Sequence, residues 1–149
     1  MIADLATHDQ IDALEAAMQG HAPAVCPVTH RFTPGLYIRE IFIPAGTLLT
    51  SAIHLTEHPF VISKGRIWVS SETEGSVLYE APHTGITQPH TRRALFAETD
   101  TIWTTFHVTE ETNVEQIAGR ILDHRINPLL EDSEFIAQWR KQLPTPELP

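Results

Sequence analysis

The sequence predicts a mainly β protein, an antiparallel β-barrel or jelly roll over about residues 36–108, with an N-terminal helix before it and two C-terminal helices after it. Three observations carry this expectation. From Leu36 to Val108 the chain falls into short segments rich in β-branched and aromatic residues, separated by turn-forming residues. Helix-starting patterns, Thr7-His8-Asp9-Gln10 and Thr112-Asn113-Val114-Glu115, frame that stretch. The apolar period is helical outside it and short-range within it.

In chain order, Thr7 and Gln10 serve the first free amides of a helix over about residues 8–19, with Ile11, Leu14 and Met18 at helical spacing and Gly20 as its stop. So short a helix is marginal alone and needs a surface to pack on. Residues 21–35 hold three prolines and no clear period, which reads as an extended connector. Leu36–Ile43 is a strand ended by Pro44-Ala45-Gly46, and the next runs over about 47–54. Thr56-Glu57 turn the chain into a strand that begins at Pro59, and Lys64-Gly65 read as a hairpin turn into residues 66–70. A polar turn precedes a strand at 76–80, and residues 81–91, rich in Gly, Pro and His, read as a loop. Strands at 92–97 and 101–108 meet at Glu98-Thr99-Asp100. The second helix starts near Thr112, aligns Val114, Ile117, Ile121 and Leu122 in one stripe, and ends near Arg125. Asp132 or Ser133 caps a last helix bearing Phe135, Ile136 and Trp139, and the proline-rich tail from Leu143 is extended. The expected organisation is one domain, 1–149, made of a helix and connector (1–35), a barrel (36–108), and C-terminal helices with a tail (109–149).

Composition narrows the function. Ten basic against nineteen acidic residues give a net charge of −9, which repels phosphate backbones and argues against nucleic-acid binding. No apolar run approaches the roughly 20 residues of a membrane span, and the N-terminus lacks a signal-peptide pattern, so synthesis in the cytoplasm is expected. Cys26 is the single cysteine, which leaves no intrachain disulfide and no cysteine metal cluster. Nine histidines are many for this length, and histidine is the commonest metal ligand.

Two of them stand in a recognisable spacing, Gly46-x5-Ala52-x-His54-x3-His58-x6-Gly65. It resembles the first motif of the cupin family, G-x5-H-x-H-x3,4-E-x6-G, in both glycines and the second histidine. Ala52 stands at the position of the family's first histidine and His58 at that of its glutamate. The second motif, G-x5-P-x-G-x2-H-x3-N, survives as Gly85-x3-Pro89-x-Thr91-x2-Ala94, with Ala94 at the family's remaining ligand position. The resemblance covers about half of the chain and implies a cupin barrel in which His54 ends one strand, His58 opens the next, and both rings point into the mouth. A metal site then needs a third ligand, His107 or His90, between which no spacing rule decides. Arg92-Arg93 place one side chain inward by alternation, though an exposed ion pair is the ordinary outcome. Glu57 reads as a turn carboxylate. Trp103, Thr105 and His107 share one face of the last strand, for a lumen or subunit interface, and Ile102, Thr104, Phe106 and Val108 share the other, which reads as core.

Glu57-His58-Pro59-Phe60-Val61, and the run from Gly85 to His107, are also similar to small cupin-like proteins of tailed bacteriophages. That resemblance implies a structural or assembly protein, a virion component that forms homo-oligomers or meets other virion proteins, without nucleic acid or membrane. Because Ala52 and Ala94 remove half of the family's coordination sphere, no cofactor is expected on this reading. The alternatives are a metal-dependent cupin enzyme or a small-molecule-binding module using His54 and His58, with His107 as third ligand to a divalent transition metal.

Overall fold

The computed structural model describes residues 8–18, 25–71 and 74–123. Helix α1 (His8–Met18) precedes strands β1 (Val28–Thr33), β2 (Leu36–Ile43), β3 (Leu48–Thr50), β4 (Ile53–His54), β5 (His58–Lys64) and β6 (Arg66–Ser71). Strands β7 (Gly75–Glu80), β8 (His83–Thr87), β9 (Arg93–Ala97) and β10 (Thr101–Val108) follow, then helix α2 (Val114–Ile121) and β11 (Leu122–Asp123). A five-stranded sheet, β1-β2-β10-β5-β8, and a four-stranded sheet, β3-β9-β6-β7, carry antiparallel pairings, and β4 pairs with β11 in a short separate ladder. The chain moves between the two sheets after β2, β5, β7, β8 and β9, and between β3 and β5 by way of β4, which is the path of a jelly roll.

Alternation explains why the sheets face each other. On β2 the inward residues Ile41 and Ile43 are buried; Phe60 and Ile62 on β5, Ile67 and Val69 on β6, Leu95 and Ala97 on β9, and Trp103 on β10 join them in one core. The opposite face of the four-stranded sheet has its own cover. Ile11 of α1 is fully buried against Ala94, with Leu48, Trp68 and Phe96 around it. Burying such an aliphatic side chain is worth about 1.5–3 kcal/mol, and this surface is the partner that so short a helix requires.

Several expectations need correction. Lys64-Gly65 is not a hairpin turn, since β5 and β6 lie in different sheets and the chain turns a corner between them. Gly65 has φ +98°, and a Cβ there would meet the Asp100 carbonyl oxygen at 2.3 Å, so only glycine fits the corner. The connector at 21–35 contains β1, and the supposed loop at 81–91 contains β8. Both are edge strands, held by one neighbour each, and their sequences carry weak alternation. Gly85 suggested a loop but marks a close approach, because the Phe60 ring would stand 2.6 Å from an added Cβ. The strand expected at 47–54 breaks at Ser51-Ala52 into β3 and β4. Helix α2 ends at Ile121 rather than near Arg125, and its C-terminus runs straight into β11. On β10 Trp103, Thr105 and His107 line the cavity, as expected of the lumen face, whereas the other face is not the expected core: Val108 is 89% exposed and Ile102 and Phe106 are only half-buried. Of the two C-terminal helices α2 is seen, and the second, with the tail, lies outside the described residues.

Candidate metal centre

His54 ends β4, His58 opens β5, and His107 lies near the end of β10. Their placement is a consequence of strand pairing. Strand β10 lies between β2 and β5, with His107 in register with Tyr37, while β4 is held beside them by β11, where Leu122 is opposite His54. Asn113 caps α2 by accepting from the Gln116 amide, so a strong local helix start delivers β11 to the histidine strand.

One ring nitrogen from each of His54, His58 and His107 lies within 4.8 Å of the others. Ring centroids are 4.5 Å apart for His54 and His58, 4.6 Å for His58 and His107, and 5.4 Å for His54 and His107. Two of the imidazoles are oriented by the residue two positions before them: His58 Nδ1–H donates to the Thr56 carbonyl at 3.1 Å, and His107 Nε2 meets the Thr105 hydroxyl at 3.0 Å. The bond to Thr56 leaves Nε2 of His58 as the lone-pair atom. On His107 the buried Nδ1 has no hydrogen-bond partner among the described residues. Tyr37 stacks on the His107 ring at 5.7 Å, which helps to fix its plane.

The three rings are kept neutral. Burial first, then His58, His107 and the Arg39 guanidinium, push His54 down to about 2. Burial, with His58 and Arg39, pushes His107 down to about 3. Burial also lowers His58, with Arg93 adding to it and the bond to Thr56 opposing. Neutral imidazoles with converging lone pairs are the form that binds a transition metal, and a bound ion would satisfy a buried nitrogen that has no hydrogen-bond partner among the described residues. The residues present therefore fit a divalent metal.

The cluster opens on a cavity of about 500 Å³. Its walls are largely apolar, from Ile41, Ile43, Leu49, Leu95 and Trp103, and α2 closes one side through Val114, Ile117 and Ile121. Arg39 and Arg93 line it as well. Arg92 and Arg93 are both buried, at 4% and 5% exposure, so neither makes the exposed pair expected of them. Of the two candidates for third ligand, the structure brings in His107; His90 is exposed, with φ 65°, and only its backbone amide touches the site, donating to the His54 carbonyl at 2.8 Å. Glu57 is exposed in its turn. Sequence reasoning missed Arg39 and Tyr37. The signal was there, since Tyr37, Arg39, Ile41 and Ile43 alternate onto the face that lines the cavity, and a charge on an otherwise apolar face is informative.

No family model matches the chain, and no curated protein matches it by sequence. Solved structures do. Ectoine synthase from P. lautus is similar with a TM-score of 0.54 at 11% identity, over 65% of this chain and 73% of that one. A salicylate 1,2-dioxygenase from Pseudoaminobacter salicylatoxidans is similar with a TM-score of 0.50 at 14% identity, over 66% of this chain and 30% of that one. An acetylacetone dioxygenase from Acinetobacter johnsonii gives 0.48 at 16% identity, and the match spans 64% of its length. The first two are cupin-fold proteins, and the mainly β, antiparallel fold of this chain is similar to theirs. Among the described residues no helix is long and apolar enough to cross a membrane.

Proposed function

We propose that this chain is a metal-dependent enzyme of the cupin fold, in which His54, His58 and His107 hold one divalent transition metal beside a small-molecule cavity. The observation that supports it is the cluster of three neutral imidazoles with His107 Nδ1 buried and without a hydrogen-bond partner among the described residues. Three imidazoles suit zinc, iron, nickel or copper, and such an ion, when bound, supplies Lewis acidity at its open positions. The chain's own residues do the rest. Thr56 and Thr105 hold the rings of His58 and His107 in place, the apolar walls and α2 limit water, and Arg39 and Arg93 make the cavity electropositive. The ligand set departs from the family pattern in using β10, where His107 stands in for the histidine absent at Ala94. Ala94 itself faces α1 and packs under Ile11.

The virion-scaffold reading draws no support from these comparisons, and its main objection to catalysis, the loss of ligands at Ala52 and Ala94, is weakened because His107 joins His54 and His58 as a third candidate ligand. Elemental analysis of untagged protein tests the proposal. One metal per chain is expected in the wild type, with loss in His54→Ala and in His107→Ala while both remain folded by circular dichroism. Metal-free wild type after reconstitution with zinc, iron, nickel and copper would sink it.

A further inference from the structure

We propose that the cavity binds a carboxylate carried on an apolar body, with the Arg93 guanidinium as its anchor. Naming the ligand class deepens the metal-enzyme reading and rests on it for the role of the ion beside the bound molecule.

Arg93 is buried, with 6% of its side chain exposed, yet its charge is poorly compensated. Nη1 donates to the neutral Thr87 hydroxyl at 2.7 Å. Nη2 reaches the Glu74 carboxylate only at 3.4 Å, and that carboxylate is 39% exposed and also accepts from the Tyr79 hydroxyl. Nε has no hydrogen-bond partner among the described residues. A guanidinium presents planar, paired donors that match the two oxygens of a carboxylate, and a buried N–H without an acceptor is the place where one is missing.

The donor is also held rigid. The guanidinium carbon lies over the Phe60 ring at 5.2 Å and over the Trp103 ring at 5.9 Å, and those rings stack on each other at 4.7 Å. Gly85 permits this arrangement, because any Cβ there would collide with Phe60. A side chain clamped on two aromatic faces loses little freedom when it binds an anion.

The field and shape of the cavity select the rest of the ligand. Among the described residues its lining holds two guanidiniums, Arg39 and Arg93, against one carboxylate, the exposed Glu115. In a chain of net charge −9 this is a local reversal of sign, and it draws an anion inward. Leu49, Leu95, Ile41 and Trp103 then face the remainder, which must be apolar, and about 500 Å³ falls in the range of small-molecule sites.

The test titrates 4-fluorobenzoate and its neutral isostere 4-fluorobenzamide into the full chain, with fluorine NMR as readout and metal content measured on the same samples. The benzoate is expected to bind and the amide to bind roughly tenfold or more weakly. Arg93→Gln is expected to weaken the benzoate roughly tenfold to a hundredfold and leave the amide unchanged. Equal affinity for both probes, or no detectable binding of either, overturns the proposal in the wild type alone, so a variant that fails to fold does not remove the test. A preference for benzoate that survives in folded Arg93→Gln overturns it too. The two readings fail separately. A metal-free protein that selects benzoate through Arg93 keeps the anion site and loses the metal centre, whereas a metal-loaded protein that does not discriminate keeps the centre and loses the anion site.

Discussion

Arg92 and Arg93 are neighbours in the chain and equally buried, yet Arg92, just before β9, reaches α1 while Arg93, the first residue of β9, lines the cavity on the opposite face of the four-stranded sheet. On the outer face Arg92 Nη1 donates to Asp12 at 2.6 Å, and Nη2 lies 2.7 Å from Glu15 as an ion pair without hydrogen-bond alignment. Glu15 also accepts from the Thr50 hydroxyl, so the charges of α1 and the sheet lock together. On the inner face Arg93 has a hydroxyl, a distant carboxylate, two aromatic rings and an idle Nε. The difference separates two uses of a buried cation. One is neutralised on the spot and docks a helix; the other is held in place and left for something that enters the cavity.

Removing the partners of Arg92 gives the largest expected effect. Asp12→Ala combined with Glu15→Ala strands a buried charge and should cost about 3–5 kcal/mol, read from the urea midpoint. A loss under about 1 kcal/mol would show that α1 is not held by this network.

Next comes pH, which acts on the inner face alone. His54 and His107 are held at about 2 and about 3 when folded, below the ordinary histidine value of about 6.5. Below pH ~6.5 the unfolded chain therefore takes up protons that the folded chain refuses. Metal-free protein should be insensitive to these groups above that pH and lose about 1.4 kcal/mol per unit per histidine as pH falls toward the folded values. Denaturant melts at pH 7, 6 and 5 measure the slope, and His107→Phe should remove one histidine's share. A flat profile would mean that the rings are solvated.

Ile117 is 2% exposed and lines the cavity from α2. Ile117→Asp loses a burial worth about 1.5–3 kcal/mol and should also weaken metal retention, because α2 leads into the strand that pairs with His54. Thermal melting with and without metal would show both effects, and an unchanged midpoint would place the stripe outside the core. The smallest expected change is in Arg93→Gln, within about 1 kcal/mol of wild type in urea, since a group kept for a ligand contributes little without it. A cost as large as that of the Asp12 and Glu15 pair would erase the contrast between the two faces.

Much of this was legible in local patterns. Leu36–Ile43 and Thr101–Val108 have the bounds expected from their β-branched and aromatic content, and α1 and α2 start close to their capping residues, because strand propensity and capping act over a few residues. The spacing from Gly46 to Gly65 likewise put His54 and His58 at one site. What the tertiary structure alone decided is who pairs with whom. Gly65 signals a change of direction, but whether β6 folds back on β5 or joins β7 and β9 depends on partners far away in sequence. The same holds for His107. It reaches His54 and His58 only because β10 inserts between β2 and β5, and strand pairing is set by the burial of a shared inner face, which no local spacing encodes.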